Sequence, residues 1–263
     1  MEMIKKILLV FMMGWGLMSY AQRDSLKTDF FAQRSTAPKG FIIDVSYGMQ
    51  LPLADMAEHF LYSFSIGGGV QYILPNNLML GLCGDYMFSD EIAKDVLSNL
   101  RESEGFLIDK FGRLTDVRLG QRTFFLGASI AYLIPVFKKY KRSGIEIRFE
   151  SGYLQHWINI EVLGSEVFGL SGEYIKGYDR MTSGFAMRQY VGYRHLDKKR
   201  LINLFIGVNI LEGFTQNRRN VNFDTMLVDD KDRLDVQIGF KLGLSIPFYL
   251  YSIASDLDDI RYY

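Results

Sequence analysis

Polar and apolar residues alternate with a period of two over segments of about ten residues along most of the chain. In the last and clearest segment, every even position from 234 to 248 is apolar, and every odd position from 235 to 245 is polar or glycine. The opening segment repeats the pattern, with apolar residues at the odd positions 41 to 49. Because successive side chains of a strand point to opposite faces, the pattern predicts β-strands with one apolar and one polar face.

Six further segments alternate in the same way, so eight strands are predicted in all. The six lie at 62–74, 78–89, 122–134, 144–157, 183–195 and 201–212. Short polar connections at 75–77, 135–143 and 197–199 alternate strictly with longer ones at 52–61, 90–121, 158–182 and 213–233. Tight periplasmic turns and long extracellular loops give outer-membrane barrels this asymmetry.

The alternation alone does not say which face is inside. A soluble barrel of the lipocalin kind would turn its apolar face inward around a ligand. Two features favour the membrane barrel: the polar face is rich in glycine and charge, as a narrow lumen requires, and the apolar face ends in aromatic residues, as an interfacial girdle requires. These aromatic residues are Tyr72, Tyr86, Phe88, Tyr132, Trp157, Tyr193, Phe248 and Tyr249. We therefore predict an all-β fold, an eight-stranded antiparallel transmembrane β-barrel with short periplasmic turns and long extracellular loops.

The N-terminus has the features of an export signal. Lys5 and Lys6 precede an apolar run at 7–18, and the small residues Ser19 and Ala21 follow it. An uncleaved membrane anchor is the alternative, but the run is shorter than the ~20 residues of a spanning helix. The predicted organisation is a cleaved signal peptide (1–21), a polar lead (22–39), a barrel in the bacterial outer membrane (40–250) and a periplasmic tail (251–263).

Composition narrows the function classes. Lysine plus arginine and aspartate plus glutamate number 30 each, so no overall basic field attracts nucleic acid. Cys83 is the single cysteine and no Cys/His spacing is typical of a zinc site, so we expect no cofactor and no metal. The expected partners are outer-membrane lipids and other outer-membrane or periplasmic proteins.

The polar face carries nearly equal numbers of acids and bases. An eight-stranded barrel is only wide enough inside for its own side chains, so these charges are predicted to neutralise one another in a lumen network. The alternative, a narrow ion path or a proton-linked site, would need a wider barrel. The residues are Asp44, Asp85, Glu146, Arg148, Glu150, Arg188, Arg194, Asp235 and Lys241.

Two histidines near the outer end raise the question of an enzyme. His156 is predicted near the end of the fifth strand and His59 in the first long loop, whereas His195 lies on the opposite side. No motif spacing ties them to the acids and hydroxyls of the outer loops, so we expect no enzyme. The alternative is a barrel hydrolase or acyltransferase with a loop-side site around His156. The loop residues considered for it are Asp179, Asp224, Ser165 and Ser171.

Aromatic and arginine residues in the outer loops are candidate contacts for a partner protein, because these types carry much interface energy. They are Tyr178, Asp179, Arg180, Phe214, Arg218 and Arg219. The alternative is that the charged members pair across the barrel mouth and close it. The longest loop also has a helical pattern, with Asp90 as a cap and apolar Ile92, Val96 and Leu100 at four-residue spacing, which predicts a helix on the barrel rim.

Several strings carry a resemblance to a known family. They are the Gly40-Phe41 opening, Pro52-Leu53-Ala54-Asp55, Gly68-Gly69-Val70-Gln71-Tyr72 and the closing Arg233-Leu234-Asp235. With the signal peptide, they resemble the PorT-like outer-membrane β-barrel family over nearly the whole mature chain. Some similar barrels accompany the type IX protein-secretion machinery, so the resemblance implies a non-enzymatic accessory or structural subunit of an outer-membrane complex. The tail beyond Tyr251 departs from the usual barrel ending at an aromatic residue.

Overall fold

A computed structural model describes residues 39–136, 142–196, 203–219 and 221–249. Eight long antiparallel strands close into a barrel, each paired with its sequence neighbour and the last with the first. The barrel strands are β1 Gly40–Ala54, β2 Ser63–Ile73, β3 Leu78–Ser89, β6 Val117–Pro135, β7 Gly144–Val162, β8 Thr182–Leu196, β9 Asn203–Asn217 and β10 Asp232–Tyr249. The two-residue strands β4 Leu107–Ile108 and β5 Leu114–Thr115 form a separate ribbon in the longest loop. The predicted fold class is confirmed.

The strand register staggers the sheet as it closes. The row of paired residues that starts at Gly40 returns to β1 at Gln50, ten residues further on, after crossing the seven other strands. For eight strands, this stagger corresponds to a strand tilt of about 40°. The interior is then narrow enough to be filled by side chains.

The faces follow the predicted alternation. Along β1, the burial pattern alternates without a break until its outer end, and Phe41, Ile43 and Val45 are exposed while Asp44 and Ser46 are buried inside. A closed sheet that turns its apolar face outward leaves no unpaired backbone edge and suits a lipid environment. The lipocalin alternative, which requires the opposite assignment, is wrong.

The strands extend further at their outer ends than predicted. β6 begins at Val117 rather than 122, β7 continues to Val162 rather than 157, and β9 continues to Asn217 rather than 212. Above the apolar belt the outward positions turn polar, for example Arg118 and Glu161, while backbone pairing continues. The apolar residues of these strand ends lie on the inward face instead, so the alternation changes phase above the belt.

Three apolar clusters fill the interior at different depths. One at the short-turn end contains Ile42, Ile73, Met79 and Leu133, with Tyr249 packed against it. Tyr249 thus packs on the inside, and its predicted place in the outward girdle is wrong. A middle cluster comprises Cys83, Met87, Phe125, Leu154, Ala186 and Leu211.

The third cluster, here called the outer cap, covers the end of the barrel that carries the long loops. It includes Met56, Phe60, Val96, Leu97 and Leu107 from the first two loops, and Phe223 from the last loop packs against it. It also includes Val117, Leu119, Ile158, Val167, Leu170 and Tyr178. All four long connections therefore supply apolar side chains to one lid.

The predicted rim helix is wrong. Ile92 pairs with Phe60 in an isolated β-bridge, and the remaining structure of this stretch is a 3-10 turn at Ser98–Leu100. Ile92, Val96 and Leu100 nevertheless all pack in the outer cap. These apolar side chains are buried in the cap although the loop forms no helix. The backbone of the loop bonds to the neighbouring loop instead, from Ala93 N to His59 O at 2.8 Å.

The predicted signal peptide and periplasmic tail, and the polar lead apart from Lys39, lie outside the described residues. Within the described part of the chain, no helix is long and apolar enough to cross a membrane.

Candidate functional site

Eight of the nine predicted lumen charges contact one another in the middle of the barrel and in the part nearer the short turns. Arg194 is fully buried and donates to both carboxylate oxygens of Asp44 at 2.8 Å and to Glu146 at 2.6 Å. Asp44 also accepts hydrogen bonds from Ser245 Oγ at 2.7 Å and from Gln71 Nε2 at 3.0 Å. Asp44 is therefore saturated by donors from three other strands.

Arg148 joins this group to a second one. It donates to Glu146 at 2.7 Å and to Glu150 at 3.4 Å. Glu150 and Asp85 share Arg188, whose Nη2 lies 2.5 Å from Asp85. Lys241 completes the network with bonds of 2.7 and 2.8 Å to Asp85. Four acids and four bases thus neutralise one another inside the barrel, which offsets part of the cost of burying them.

Two inward phenylalanines support the guanidinium groups. The Phe205 ring centroid lies 4.7 Å from the guanidinium carbon of Arg194 and 5.6 Å from that of Arg148. Phe125 lies 4.4 Å from that of Arg188. Sequence reasoning missed both rings, although each is an aromatic residue at an otherwise polar-face position, and that departure was the available signal. Stacking adds attraction to a planar cation without competing for its N–H groups.

A glycine makes room for one of these rings. A Cβ added at Gly243 would lie 2.3 Å from the Phe205 ring and 2.6 Å from the backbone oxygen of Val45. Gly243→Val should therefore lower the free energy of unfolding by about 2 kcal/mol through overpacking, measured by urea titration in detergent. Outward Gly84, where the nearest atom is 3.5 Å away, supplies the control Gly84→Ala. Equal stability of both variants would contradict the tight lumen.

Little space remains among the lumen charges. The cavity bounded by Asp44, Asp85, Arg148, Arg188 and Lys241 has a volume of about 10 Å³. A site needs roughly 10–15 Å³ to hold even one water molecule. Among the described residues, this network lies between the outer cap on one side and the apolar cluster of the short-turn end on the other.

Asp235, the ninth predicted charge, belongs to a different group near the outer mouth. It accepts a hydrogen bond from Thr215 Oγ1 at 2.5 Å, and its Oδ2 lies 2.7 Å from His156 Nε2. His156 is buried inside the barrel rather than exposed at the lipid interface beside Trp157. Its ring meets Phe60 of the cap edge to face at 5.6 Å. Strand stagger explains the separation, because it lifts this part of β10 above the other lumen charges.

The loop residues considered for catalysis do not assemble around His156. Ser165 accepts from Arg113 at 2.7 Å, and Ser171 donates to the backbone oxygen of Phe168 at 3.2 Å. Asp179 pairs with Arg219, and Asp224 with Arg180. His156 Nδ1 has no hydrogen-bond partner among the described residues. The arrangement thus lacks the bond between nucleophile and base that acyl-transfer chemistry requires.

His59 lies beside the same Phe60 ring, buried, and neither of its nitrogens has a hydrogen-bond partner among the described residues. Burial lowers the pKa of His59 from 6.5 to about 4, and the charges of Arg180, Arg233 and Lys94 and the nearby His156 add to the effect. At neutral pH the cap therefore contains an uncharged imidazole.

The cap should loosen in acid. Between pH 6.5 and about 4, an opened loop binds a proton at His59 that the closed cap does not, so stability is complete above pH 6.5 and is lost as the pH falls. The loss reaches roughly 3 kcal/mol near pH 4. Hydrogen exchange of the outer loops at pH 7 and pH 5 measures it. His59→Phe should remove this acid-dependent component, and an unchanged pH dependence in that variant would contradict the assignment.

The six candidate partner contacts do not form one surface. Tyr178 is buried in the cap, and Phe214 points outward from β9 with half of its surface exposed. Arg180 and Arg219 pair with Asp224 and Asp179, and Arg218 donates to Ser183 Oγ at 2.7 Å. Arg219 bonds to Asp179 through both Nε and Nη2, and this interaction raises the pKa of Arg219. The charged members therefore fasten neighbouring loops together.

A different set of loop side chains is exposed, and sequence reasoning missed it. Phe111, Leu114, Leu163 and Phe168, here called the loop patch, expose between 48 and 81% of their surface. The ribbon and the following loop are tied together by Lys110 Nζ to Glu166 at 3.1 Å and by Leu163 N to Asp116 O at 2.9 Å. Exposed apolar side chains on loops that are tied together are candidates for a contact surface.

No group of three or more His, Cys, Asp or Glu side chains in the described ranges is arranged to hold a metal ion. An open cleft of about 570 Å³ lies beside the outer end of β9. Its lining residues are Gln216, Asn217, Arg219, Val228, Asp229 and Asp230.

No known family model and no curated protein matches the chain. Among solved structures it is similar to Neisserial surface protein A, at 11% identity over 81% of this chain and 100% of the other, with a TM-score of 0.43. It is also similar to Ail, the attachment invasion locus protein of Yersinia pestis, at 12% identity, 81% and 100% coverage and a TM-score of 0.44. It is similar as well to the outer membrane protein OprG from Pseudomonas aeruginosa, at 8% identity over 82% of this chain and 99% of the other, with a TM-score of 0.35.

The chain is an eight-stranded outer-membrane β-barrel protein. Its own geometry carries this conclusion: a closed antiparallel sheet, an outward apolar belt and a polar interior.

Proposed function

We propose that this protein is a non-enzymatic accessory or structural subunit of an outer-membrane complex, and that it binds a partner protein through its outer loops. The observation that carries the proposal is the contrast between a lumen packed with its own side chains and a fastened loop surface with exposed apolar residues. A barrel filled by its own side chains can still present a shaped surface outside the membrane.

The sequence resemblance to PorT-like barrels favours the type IX protein-secretion machinery as the complex. The loop patch suits such a role, because aromatic and aliphatic side chains held by a rigid framework lose little entropy on binding. Lys110 Nζ and the guanidinium carbon of Arg113 lie 5.5 and 5.0 Å from the centroid of the Phe111 ring, so the aromatic side chain has two cationic neighbours. We therefore propose a partner surface that combines an apolar pocket with acidic residues at its rim.

Affinity purification after mild-detergent extraction of the native outer membrane tests the proposal. The intact barrel, identified by heat-modifiable migration, should recover secretion or surface-export components in stoichiometric amount. Recovery of the barrel alone would contradict the accessory role.

The loop patch makes a residue-level prediction. Phe111→Ser combined with Phe168→Ser should reduce partner recovery at least tenfold, since a buried aromatic anchor contributes about 2 kcal/mol or more. Val136→Ser is the matched control, because Val136 is also an exposed apolar residue but follows β6 at the opposite end. Equal recovery with both proteins would show that the patch is not the contact.

A further inference from the structure

Polar side chains interrupt the apolar belt on one side of the barrel. Gln189 of β8 points outward, because its neighbours Arg188 and Tyr190 are buried inside. Its cross-strand partners on the outer face are the exposed Phe149 of β7 and Ile210 of β9. Its Oε1 lacks a hydrogen-bond donor among the described residues. A buried amide oxygen without a donor is costly, and in lipid no water is present to supply one.

The strand stagger gives the depth of this amide. Each step to the next strand displaces level positions by about 1.25 residues, given a stagger of ten over eight strands. Gln189 is then nearly level with Gly68, Gly84, Ala128 and Ser151. These residues occupy the middle of the belt, where lipid offers no polar group. An amide oxygen at that depth can receive a hydrogen bond only from a protein donor.

A second polar pair flanks β8 higher in the belt. Glu212 of β9 points outward between Ile210 and Phe214. On β7, Tyr153 donates to Gln155 Oε1 at 3.0 Å, and the Gln155 amide nitrogen forms no hydrogen bond to a described residue. By the same stagger, Glu212 lies between Tyr153 and Gln155 in height. An acceptor and a donor thus stand at one level on opposite sides of β8.

We propose that the outward face of β7, β8 and β9 is the contact surface for a second copy of this chain, related by a two-fold axis along the membrane normal beside β8. Such an axis keeps every residue at its own depth and places β7 of one copy opposite β9 of the other. Gln189 then meets Gln189 of the second copy, and a side-chain amide is self-complementary because it both donates and accepts.

The same axis brings the amide nitrogen of Gln155 to Glu212 of the second copy. The symmetry repeats this contact, so it occurs at two places in the dimer. The small side chain of Ser151, beside Gln189, allows close approach of the two barrels, as small residues do at contacts within lipid. Elsewhere around the belt the outward positions of β1 and β10 are apolar throughout, including Val45, Tyr47, Leu242 and Leu244. The complementary polar groups therefore select one side of the barrel and one symmetry.

Cysteine cross-linking in native outer membranes tests this arrangement in the full-length protein. Val191→Cys, on the same outward face of β8 and two residues from the intact Gln189 amide, should give a dimer with a short bis-maleimide reagent in at least half of the molecules. Val45→Cys, at similar depth on β1, should give less than a tenth of that yield. Native Cys83 is buried in the lumen and remains in both variants. Heat-modifiable migration checks that each barrel is folded.

The two-fold axis also predicts which two different positions cross-link between copies. Differently tagged copies carrying Ile210→Cys and Ser151→Cys, which are level by the stagger, should cross-link to each other more than tenfold better than Ser151→Cys to itself. Equal yields at Val191 and Val45 would indicate random collision and overturn the proposal. An adduct of different mass would identify another protein on this face and would overturn it as well. Because the loop patch is not involved, failure of the dimer and failure of the proposed function are distinguishable.

Discussion

Replacing Arg194 with Met is expected to lower the free energy of unfolding by about 3–5 kcal/mol, because it leaves two buried carboxylates without their main partner. Arg194 has no exposed surface, and it bonds to Asp44 through two nitrogens and to Glu146 through two. The methionine keeps most of the volume against Phe205 and removes the charge. Urea unfolding of the refolded barrel in detergent, followed by heat-modifiable migration, measures the loss.

Two variants separate charge imbalance from loss of packing. Arg118→Met changes an exposed arginine on β6 above the belt and should alter stability by less than about 0.5 kcal/mol. Adding Asp44→Asn to Arg194→Met should recover part of the lost stability, since it removes one of the two buried carboxylates that are left without their arginine. A cost of Arg194→Met below about 1 kcal/mol would show that the network does not hold the barrel together.

The fold was predictable because period-two alternation reports directly on which face of a strand is apolar. Phe41, Ile43 and Val45 alone fix the orientation of β1. Strand ends were harder to predict, because above the membrane the outward residues of β6 and β7 are polar and the inward ones, such as Val117 and Ile158, are apolar. The alternation therefore changes phase at these ends and no longer continues the pattern of the belt. Arg118 and Arg122 were therefore placed in or at the edge of a connection although they lie within β6.

The lumen charges could be identified but not paired. Alternation and overall neutrality select them, whereas the bond between Asp44 and Arg194 spans 150 residues and depends on the barrel's stagger. The same stagger separates Asp235 from the others and places it beside His156. Side-chain periodicity contains no information about stagger, so the sequence placed all nine residues in one group.

The outer cap was the least predictable part of the molecule. Its apolar residues come from four loops, and their spacing within each loop follows the shape of the barrel mouth rather than a helical or strand period. Ile92, Val96 and Leu100 have helical spacing, yet the loop adopts bridge and turn structure around them. Contacts between loops, which a local pattern does not encode, determine their conformation.

Replacing Phe60 with Ala should open the cap while leaving the barrel intact. Phe60 is 2% exposed, lies in the cap cluster, and meets the rings of both His59 and His156. Removing a buried phenylalanine ring costs about 3–5 kcal/mol. Here the cost falls on the cap, because the barrel strands keep their own backbone pairing and lumen network.

Two readouts distinguish this local effect from global unfolding. Proteolysis of the outer loops on intact cells should accelerate by two orders of magnitude or more, whereas the urea midpoint of the barrel should change little. Leu61→Ala is the matched control, since Leu61 is the next residue in the same loop and is half exposed. If Phe60→Ala lowers the barrel midpoint as strongly as Arg194→Met does, then cap and barrel unfold as one unit, and the loops stabilise the strands rather than only covering them.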